Sequence, residues 1–119
     1  MKRLVLALLC LAAPSAAGEA EVVAATAQKT AGGWRFDVTI RHDDTGWDHY
    51  ADGWAVLAAD GTELGYRTLF HPHVEEQPFT RSLSGIRVPA GATSVFIRAD
   101  DSVHGAGTRL FEVPLADGS

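Results

Sequence analysis

Strict alternation of apolar and polar side chains over eight residues is the feature that most constrains the fold of this chain. From Trp34 to Arg41 every second residue is apolar. On a β-strand, successive side chains point to opposite faces of the sheet. The pattern therefore predicts a strand that places Trp34, Phe36, Val38 and Ile40 on one buried face.

Six further runs rich in β-branched and aromatic residues are separated by glycine-containing turns. They cover Glu21–Gln28, Gly53–Ala59, Thr62–Phe70, Pro78–Val88, Thr93–Ala99 and Arg109–Leu115. Asp60-Gly61 is a strong hairpin signal between two of these runs, and the alternation breaks near Ser84-Gly85, which predicts a bulge. Seven strands and no credible helix in about 95 residues predict an all-β, antiparallel, seven-strand immunoglobulin-like sandwich. A small β-barrel is the alternative, because the sequence does not determine strand pairing.

The predicted core follows from the same alternation. In the run Thr93–Ala99, Val95, Ile97 and Ala99 should point inward. An immunoglobulin-like sandwich would also bury either Trp34 or Trp54. In the last run the inward residues are Phe111, Val113 and Leu115. Because Pro114 has no N–H to donate, this last strand is expected at a sheet edge.

The N-terminus has the three parts of an export signal. The basic pair Lys2-Arg3 precedes an apolar stretch and then a small-residue region, a pattern typical of secretory signal peptides. We expect cleavage after Ala17, which leaves residues 18–119 as a single domain, and a cut after Ala20 fits nearly as well. The apolar stretch is shorter than the roughly 20 residues that span a bilayer.

Cys10 lies inside this apolar stretch. Leu9 precedes it, whereas lipid modification of an exported cysteine normally follows a small residue. We therefore expect Cys10 to be discarded with the signal peptide. The exported domain would then contain no cysteine and no disulfide, and would depend on its core or on a bound ligand for stability.

The charge balance narrows the range of partners. The chain has ten basic and fifteen acidic residues and a net charge of −5 at pH 7. Loss of Lys2 and Arg3 leaves eight basic residues against fifteen acidic ones, a net charge of −7. An acidic domain without a basic run argues against nucleic acid or anionic lipid as a partner. We expect a periplasmic or secreted protein.

The histidines gather at one predicted end of the sandwich. If the strands run alternately up and down, the connections after the second, fourth and sixth strands emerge together. These three connections carry most of the loop carboxylates and all five histidines: His42, His49, His71, His73 and His104. Connections on a rigid sandwich are where such folds usually carry function, so this end is the predicted functional face.

Five imidazole side chains at one end of the sandwich predict a metal site. His71 and His73 are two residues apart, so both rings would point to the same side of an extended backbone. His49 and His104 could approach from the neighbouring connections. The predicted metal ligands are His49, His71, His73 and His104, with Asp48, Asp52, Glu75 or Asp101 as oxygen ligands or hydrogen-bond partners. Several imidazoles with carboxylates suit zinc or copper(II), and the lack of soft sulfur ligands disfavours copper(I).

One other function stays open at this point. The histidines could pair with carboxylates only to stabilise the loops, and the domain would then be a protein-interaction module of the cell envelope. Trp47 and Tyr50 would serve as a ligand platform or would plug the end of the core.

No serine lies in a nucleophile-elbow pattern, so the expected protein is not an enzyme.

Three stretches resemble segments of small exported β-domain proteins of Gram-negative bacteria. They are GWDHYADGW from residue 46, HPHVEEQPFTRSLSG from residue 71 and DSVHG from residue 101. The resemblance implies an exported β domain, and it implies no catalytic or ligand-binding residue. The likeness to immunoglobulin or fibronectin type III domains rests on strand count and licenses no function.

Overall fold

The computed structural model describes residues 18–115, and it contains β-strands but no helix over that range. The predicted signal peptide and Cys10 lie outside the described residues. The strands are β1 (Glu21–Thr30), β2 (Gly33–Arg41), β3 (Ala51–Leu57), β4 (Glu63–Thr68), β5 (Phe79–Ile86), β6 (Ser94–Asp101), β7 (Gly105–Ala106) and β8 (Phe111–Pro114). All seven predicted strands are present, and β7 is an additional two-residue strand.

The strands form two antiparallel sheets. One sheet has the order β1-β2-β5, and the other has the order β4-β3-β6 with β7 and β8 paired along the free edge of β6. This confirms the predicted all-β sandwich. The sheets remain separate over the described residues, so the alternative of a small closed barrel is wrong.

The core lies between the two sheets and follows the predicted alternation. Phe36, Val38 and Ile40 of β2 are at most 1% exposed. Across the sandwich they face the inward side chains of β3, β6 and β8, which are Trp54, Val56, Val95, Ile97, Ala99 and Val113. Trp54 is the fully buried tryptophan, whereas Trp34 is half-buried and packs against the margin of the core.

Local turn chemistry also agrees with the sequence. Gly61 has a φ of +91° and donates its N–H to the carbonyl of Ala58 (2.9 Å) in the β3–β4 hairpin. Between β2 and β5 the register shifts because one additional residue of β5 lies between Leu83 and Ile86. Gly85 lies in this bulge with a φ of +72°, a backbone region that glycine enters without steric cost.

No helix within residues 18–115 has the length and apolarity needed to cross a membrane.

Candidate metal centre

The connections β2–β3 (residues 42–50), β4–β5 (69–78) and β6–β7 (102–104) meet at one end of the sandwich, here called the histidine pole. Asp44 of the first connection accepts a hydrogen bond from the main-chain N–H of His73 in the second (2.7 Å). His49 of the first contacts Asp101 at the end of β6 (3.1 Å). The expected grouping of the histidines at one end is therefore present.

Asp101 is one of the buried carboxylates of this pole, at 2% exposure. Its Oδ1 accepts hydrogen bonds from the main-chain N–H groups of Val103 (2.9 Å) and His104 (2.8 Å). Burial by itself would raise the pKa of Asp101, but these N–H donors and the His104 ring outweigh burial and hold the pKa below its usual value. Asp101 is therefore a buried anion held in place by main-chain N–H groups.

His42 continues the inward alternation of β2 by one further step and is 4% exposed. Its Nδ1 lies 2.5 Å from Oδ1 of Asp44. Asp44 is held in turn by the main-chain N–H groups of Ala51 (3.0 Å) and His73 (2.7 Å). Because Nδ1 of His42 donates to this carboxylate, Nε2 is the ring nitrogen that faces the rest of the histidine pole.

Three ligand-type atoms converge there. Nε2 of His42 lies 3.2 Å from Nε2 of His49, which lies 3.1 Å from Oδ1 of Asp101. His42, His49 and Asp101 form the one group of three potential metal ligands within residues 18–115 whose ligand atoms all lie within 4.8 Å of one another. Atoms of these types this close together can share protons through hydrogen bonds or hold a metal ion.

His104 contacts the same carboxylate from the outer side. Its Nδ1 lies 3.0 and 3.1 Å from the two oxygens of Asp101, and its ring centroid is 5.1 Å from that of His49. The side chain is 38% exposed. In this position Asp101 sets the orientation of the His104 ring.

His71 and His73 form a separate pair, with ring centroids 4.8 Å apart. The His73 ring stacks on Phe79 at 3.9 Å, and its Nε2 accepts a hydrogen bond from Arg81 (3.0 Å). Burial, and then the charge of Arg81, lower the pKa of His73. A neutral ring that accepts from a guanidinium has already used its lone pair, so His73 packs as a structural side chain. His71 is exposed.

The structure thus divides the four histidines that the sequence nominated as ligands. His49 and His104 meet at Asp101, and His71 and His73 lie together against Phe79. Assignment of all four as metal ligands stays a prediction. The converging group shares His49 with that set and adds His42, which the sequence argument left out of the site.

The exposed apolar side chains of the histidine pole are a second feature. Trp47 is 67% exposed and makes an edge-on contact with Tyr50 at 5.5 Å. The sequence alternative in which Trp47 plugs the end of the core therefore does not hold. Phe70, Val74 and Val103 on the same three connections are also more than half exposed.

Comparison with known proteins gives one informative likeness. Over 102 residues the chain is 44% identical to a protein of the halophilic archaeon Halomicrobium mukohataei described as a "Putative lipoprotein". The matched region is 85% of this chain and 50% of the relative, so the chain spans about half the length of that protein.

No protein-family model matches the chain, and no solved structure matches it. The resemblance to immunoglobulin or fibronectin type III domains therefore stays a prediction. The relative is archaeal, so the resemblance to Gram-negative exported proteins also stays a prediction.

Proposed function

We propose that this protein is an exported, non-enzymatic β-sandwich protein that binds zinc or copper(II) at the histidine pole. The proposed ligands are His42, His49 and Asp101. The observation that carries the proposal is the convergence of two imidazole nitrogens and one buried carboxylate oxygen on a shared space.

The distances suit a tetrahedral ion. With zinc–nitrogen and zinc–oxygen bonds of about 2.0–2.2 Å, adjacent ligand atoms in a tetrahedron are about 3.3–3.6 Å apart. The pair from His42 to His49 is 3.2 Å apart, and the pair from His49 to Asp101 is 3.1 Å apart. An expansion of a few tenths of an ångström would admit the ion, which is within the freedom of the partly exposed His49 side chain.

The ligands are already oriented by their neighbours. Metal-bound histidines commonly donate the other ring N–H to a carboxylate, which sets the tautomer and strengthens the ligand. His42 does this toward Asp44, and Asp44 is itself anchored by two main-chain N–H groups. A pocket of about 330 Å³ lined partly by His42 and His49 gives an ion access from solvent.

The donor set limits the choice of metal. Imidazole nitrogen and carboxylate oxygen suit zinc and copper(II), and the described residues contain neither cysteine nor methionine to favour copper(I). Both metals are therefore the probes to use.

The description of the archaeal relative as a lipoprotein supports an address at the cell envelope. Export with cleavage after Ala17 would give a periplasmic or secreted protein, whereas lipidation of Cys10 would tether it to the membrane. Because Leu9 is not a small residue, it favours cleavage after Ala17 over lipidation of Cys10. The mass of the exported chain distinguishes the two, because a lipidated chain would begin at Cys10 and carry acyl groups.

Calorimetric titration of the exported protein with zinc(II) and with copper(II) tests the proposed function. We expect a dissociation constant tighter than about 10 μM and a loss of binding by about tenfold or more in His49→Ala. His71→Ala is the matched control, since it removes a histidine from the same pole outside the converging group. Absence of binding to both metals would refute the proposal, and equal losses in the two variants would refute the ligand assignment.

A second candidate function is a protein-interaction module of the cell envelope. Four apolar side chains of the histidine pole favour it because each is more than half exposed: Trp47, Phe70, Val74 and Val103. Tryptophan and phenylalanine side chains are enriched at protein–protein contacts. Pull-down from envelope extract with the wild type and with Trp47→Ser and Phe70→Ser tests this candidate. A partner retained equally by all three proteins would argue against the exposed apolar face.

A further inference from the structure

We propose that the carbonyl oxygen of Gly18 is the fourth ligand of the metal centre, so that the bound ion ties the segment before β1 to the end of the sandwich. This inference rests on the proposed function, and it adds both a ligand and a consequence for the N-terminus. The segment concerned is Gly18–Ala20.

The contacts of the Gly18 oxygen place it among the other ligand atoms. It lies 2.9 Å from Nε2 of His42 and 3.1 Å from Nε2 of His49. Because Nδ1 of His42 donates to Asp44, Nε2 of a neutral His42 presents a lone pair to an oxygen that also offers only lone pairs. The contact therefore needs either a proton on Nε2, which would make it a hydrogen bond, or a metal ion, which would make it coordination.

Four of the six separations among these atoms are those expected in a small coordination shell. The measured distances from His42 to Gly18, Gly18 to His49, His42 to His49 and His49 to Asp101 all lie between 2.9 and 3.2 Å. Two imidazole nitrogens, a carboxylate oxygen and a main-chain oxygen make a four-coordinate set for zinc.

Residue 18 is suited to this contact because it is glycine. Its φ is +89°, a region that side chains rarely enter. A Cβ at this position would lie 2.8 Å from Cε1 of the His104 ring, whose Nδ1 is held by Asp101. A larger residue would therefore move the carbonyl or displace the ring.

The two residues that follow fix the position of Gly18. The Glu19 carboxylate accepts hydrogen bonds from the main-chain N–H (3.2 Å) and the hydroxyl (3.0 Å) of Thr108. Ala20 belongs to the hydrophobic core. Cleavage after Ala17 and lipidation of Cys10 would both keep the Gly18 ligand, whereas cleavage after Ala20 would remove it along with these anchors.

Zinc titration of a matched pair of variants tests the ligand. Gly18→Ala and Gly91→Ala impose nearly the same backbone strain, since the φ angles are +89° and +86°, but Gly91 lies in a turn at the opposite end. We expect zinc affinity to fall by about tenfold or more in Gly18→Ala and to stay at the wild-type value in Gly91→Ala. Wild-type affinity in Gly18→Ala would overturn the assignment of the ligand.

Hydrogen exchange on the wild-type protein tests whether bound zinc ties the segment Gly18–Ala20 to the end of the sandwich, and it needs no variant. We expect saturating zinc to slow amide exchange in the segment Gly18–Ala20, while exchange in the Pro89–Ala92 turn is unchanged. If zinc binds and exchange at the N-terminal segment does not slow, the tie is wrong and the metal centre of His42, His49 and Asp101 stands. If the wild type binds neither zinc nor copper(II), the proposed function itself fails.

Discussion

At the scale of single residues, the histidine pole is organised by two buried carboxylates that are anchored before any ion arrives. Asp44 accepts from two main-chain N–H groups and from the His42 ring, and Asp101 accepts from two main-chain N–H groups and from the His104 ring. A carboxylate held in this way keeps its charge in a buried place and sets the orientation of the imidazole that contacts it.

Asp44→Asn should weaken both the fold and the metal centre. The amide offers one acceptor oxygen where the carboxylate receives three donors, so at least one buried N–H loses its partner. We expect a loss of about 1–3 kcal/mol in the free energy of unfolding and a zinc affinity about 10–100-fold weaker. Urea unfolding and calorimetry measure the two effects, with the exposed neighbour in Asp43→Asn as control. Equal behaviour of the two variants would contradict the role given to Asp44.

Asp37 predicts a pH dependence that is separate from the pole. The Ser82 hydroxyl and then the Arg35 guanidinium, both hydrogen-bonded to this carboxyl, lower the pKa of Asp37. Because the folded state holds the carboxyl below its unfolded pKa of about 3.9, the stabilisation is present above that pH and is lost as pH falls through the lowered folded value.

Asp37→Asn should therefore be less stable than the wild type at pH 7, and the difference should shrink toward pH 2. The side chain is 34% exposed, so we expect only about 0.5–1 kcal/mol at pH 7. Urea unfolding across this pH range measures it, and Ser82→Ala should reproduce part of the effect. A difference that stays constant with pH would rule out the carboxyl as its source.

At the scale of elements, alternation and turn chemistry were enough to place the strands. The β2 segment, the hairpin at Asp60-Gly61 and the β5 bulge at Gly85 all depend on residues close in sequence, so local patterns determine them. The pairing of β1 and β5 on either side of β2 depends on contacts between distant segments. Such pairing leaves no local signature, and the choice between a sandwich and a barrel therefore needed the structure.

The alternation of inward and outward residues along the strands also contains a signal for the site. His42 follows Ile40 by two residues and Asp101 follows Ala99 by two, so each continues the inward face of its strand past the last apolar residue. A polar residue at an inward position is expected to have a specific partner. Position Gly18 carries no such pattern. The spacing of His71 and His73 likewise gives no sign that Phe79 and Arg81, from β5, contact His73.

Gly65 on β4 tests how tightly the sheets close at one margin. A Cβ added there would lie 2.5 Å from Cδ1 of Ile86 and 3.2 Å from Cδ2 of Leu83, both on β5. We expect Gly65→Ala to destabilise the fold by about 1–3 kcal/mol through overpacking. Gly32→Ala is the control, since nothing lies within 4 Å of its added Cβ. Thermal unfolding compares them, and equal melting temperatures would show that β4 and β5 pack loosely.

At the scale of the whole molecule, the pole joins parts of the chain that are far apart in sequence. Gly18 precedes β1, His42 and His49 lie on the β2–β3 connection, and Asp101 ends β6, so both sheets and the N-terminal segment meet at one point. The described domain has no disulfide to hold them, because residues 18–115 contain no cysteine. An ion at this point would supply a cross-link of the kind that small exported domains otherwise obtain from cysteines.

Metal binding should therefore appear as stability of the entire domain. A ligand that binds only the folded state raises the free energy of unfolding by about 2.7 kcal/mol at a free concentration of 100 times its dissociation constant. We expect zinc at that excess to raise the urea midpoint of the wild type and of His71→Ala, and a chelator to reverse the effect. His49→Ala lacks a ligand and binds zinc at least about tenfold more weakly, so the same zinc concentration should stabilise it by about 1.4 kcal/mol or less. An equal rise in all three proteins would mean that zinc stabilises the domain from a site other than the one formed by His42, His49 and Asp101.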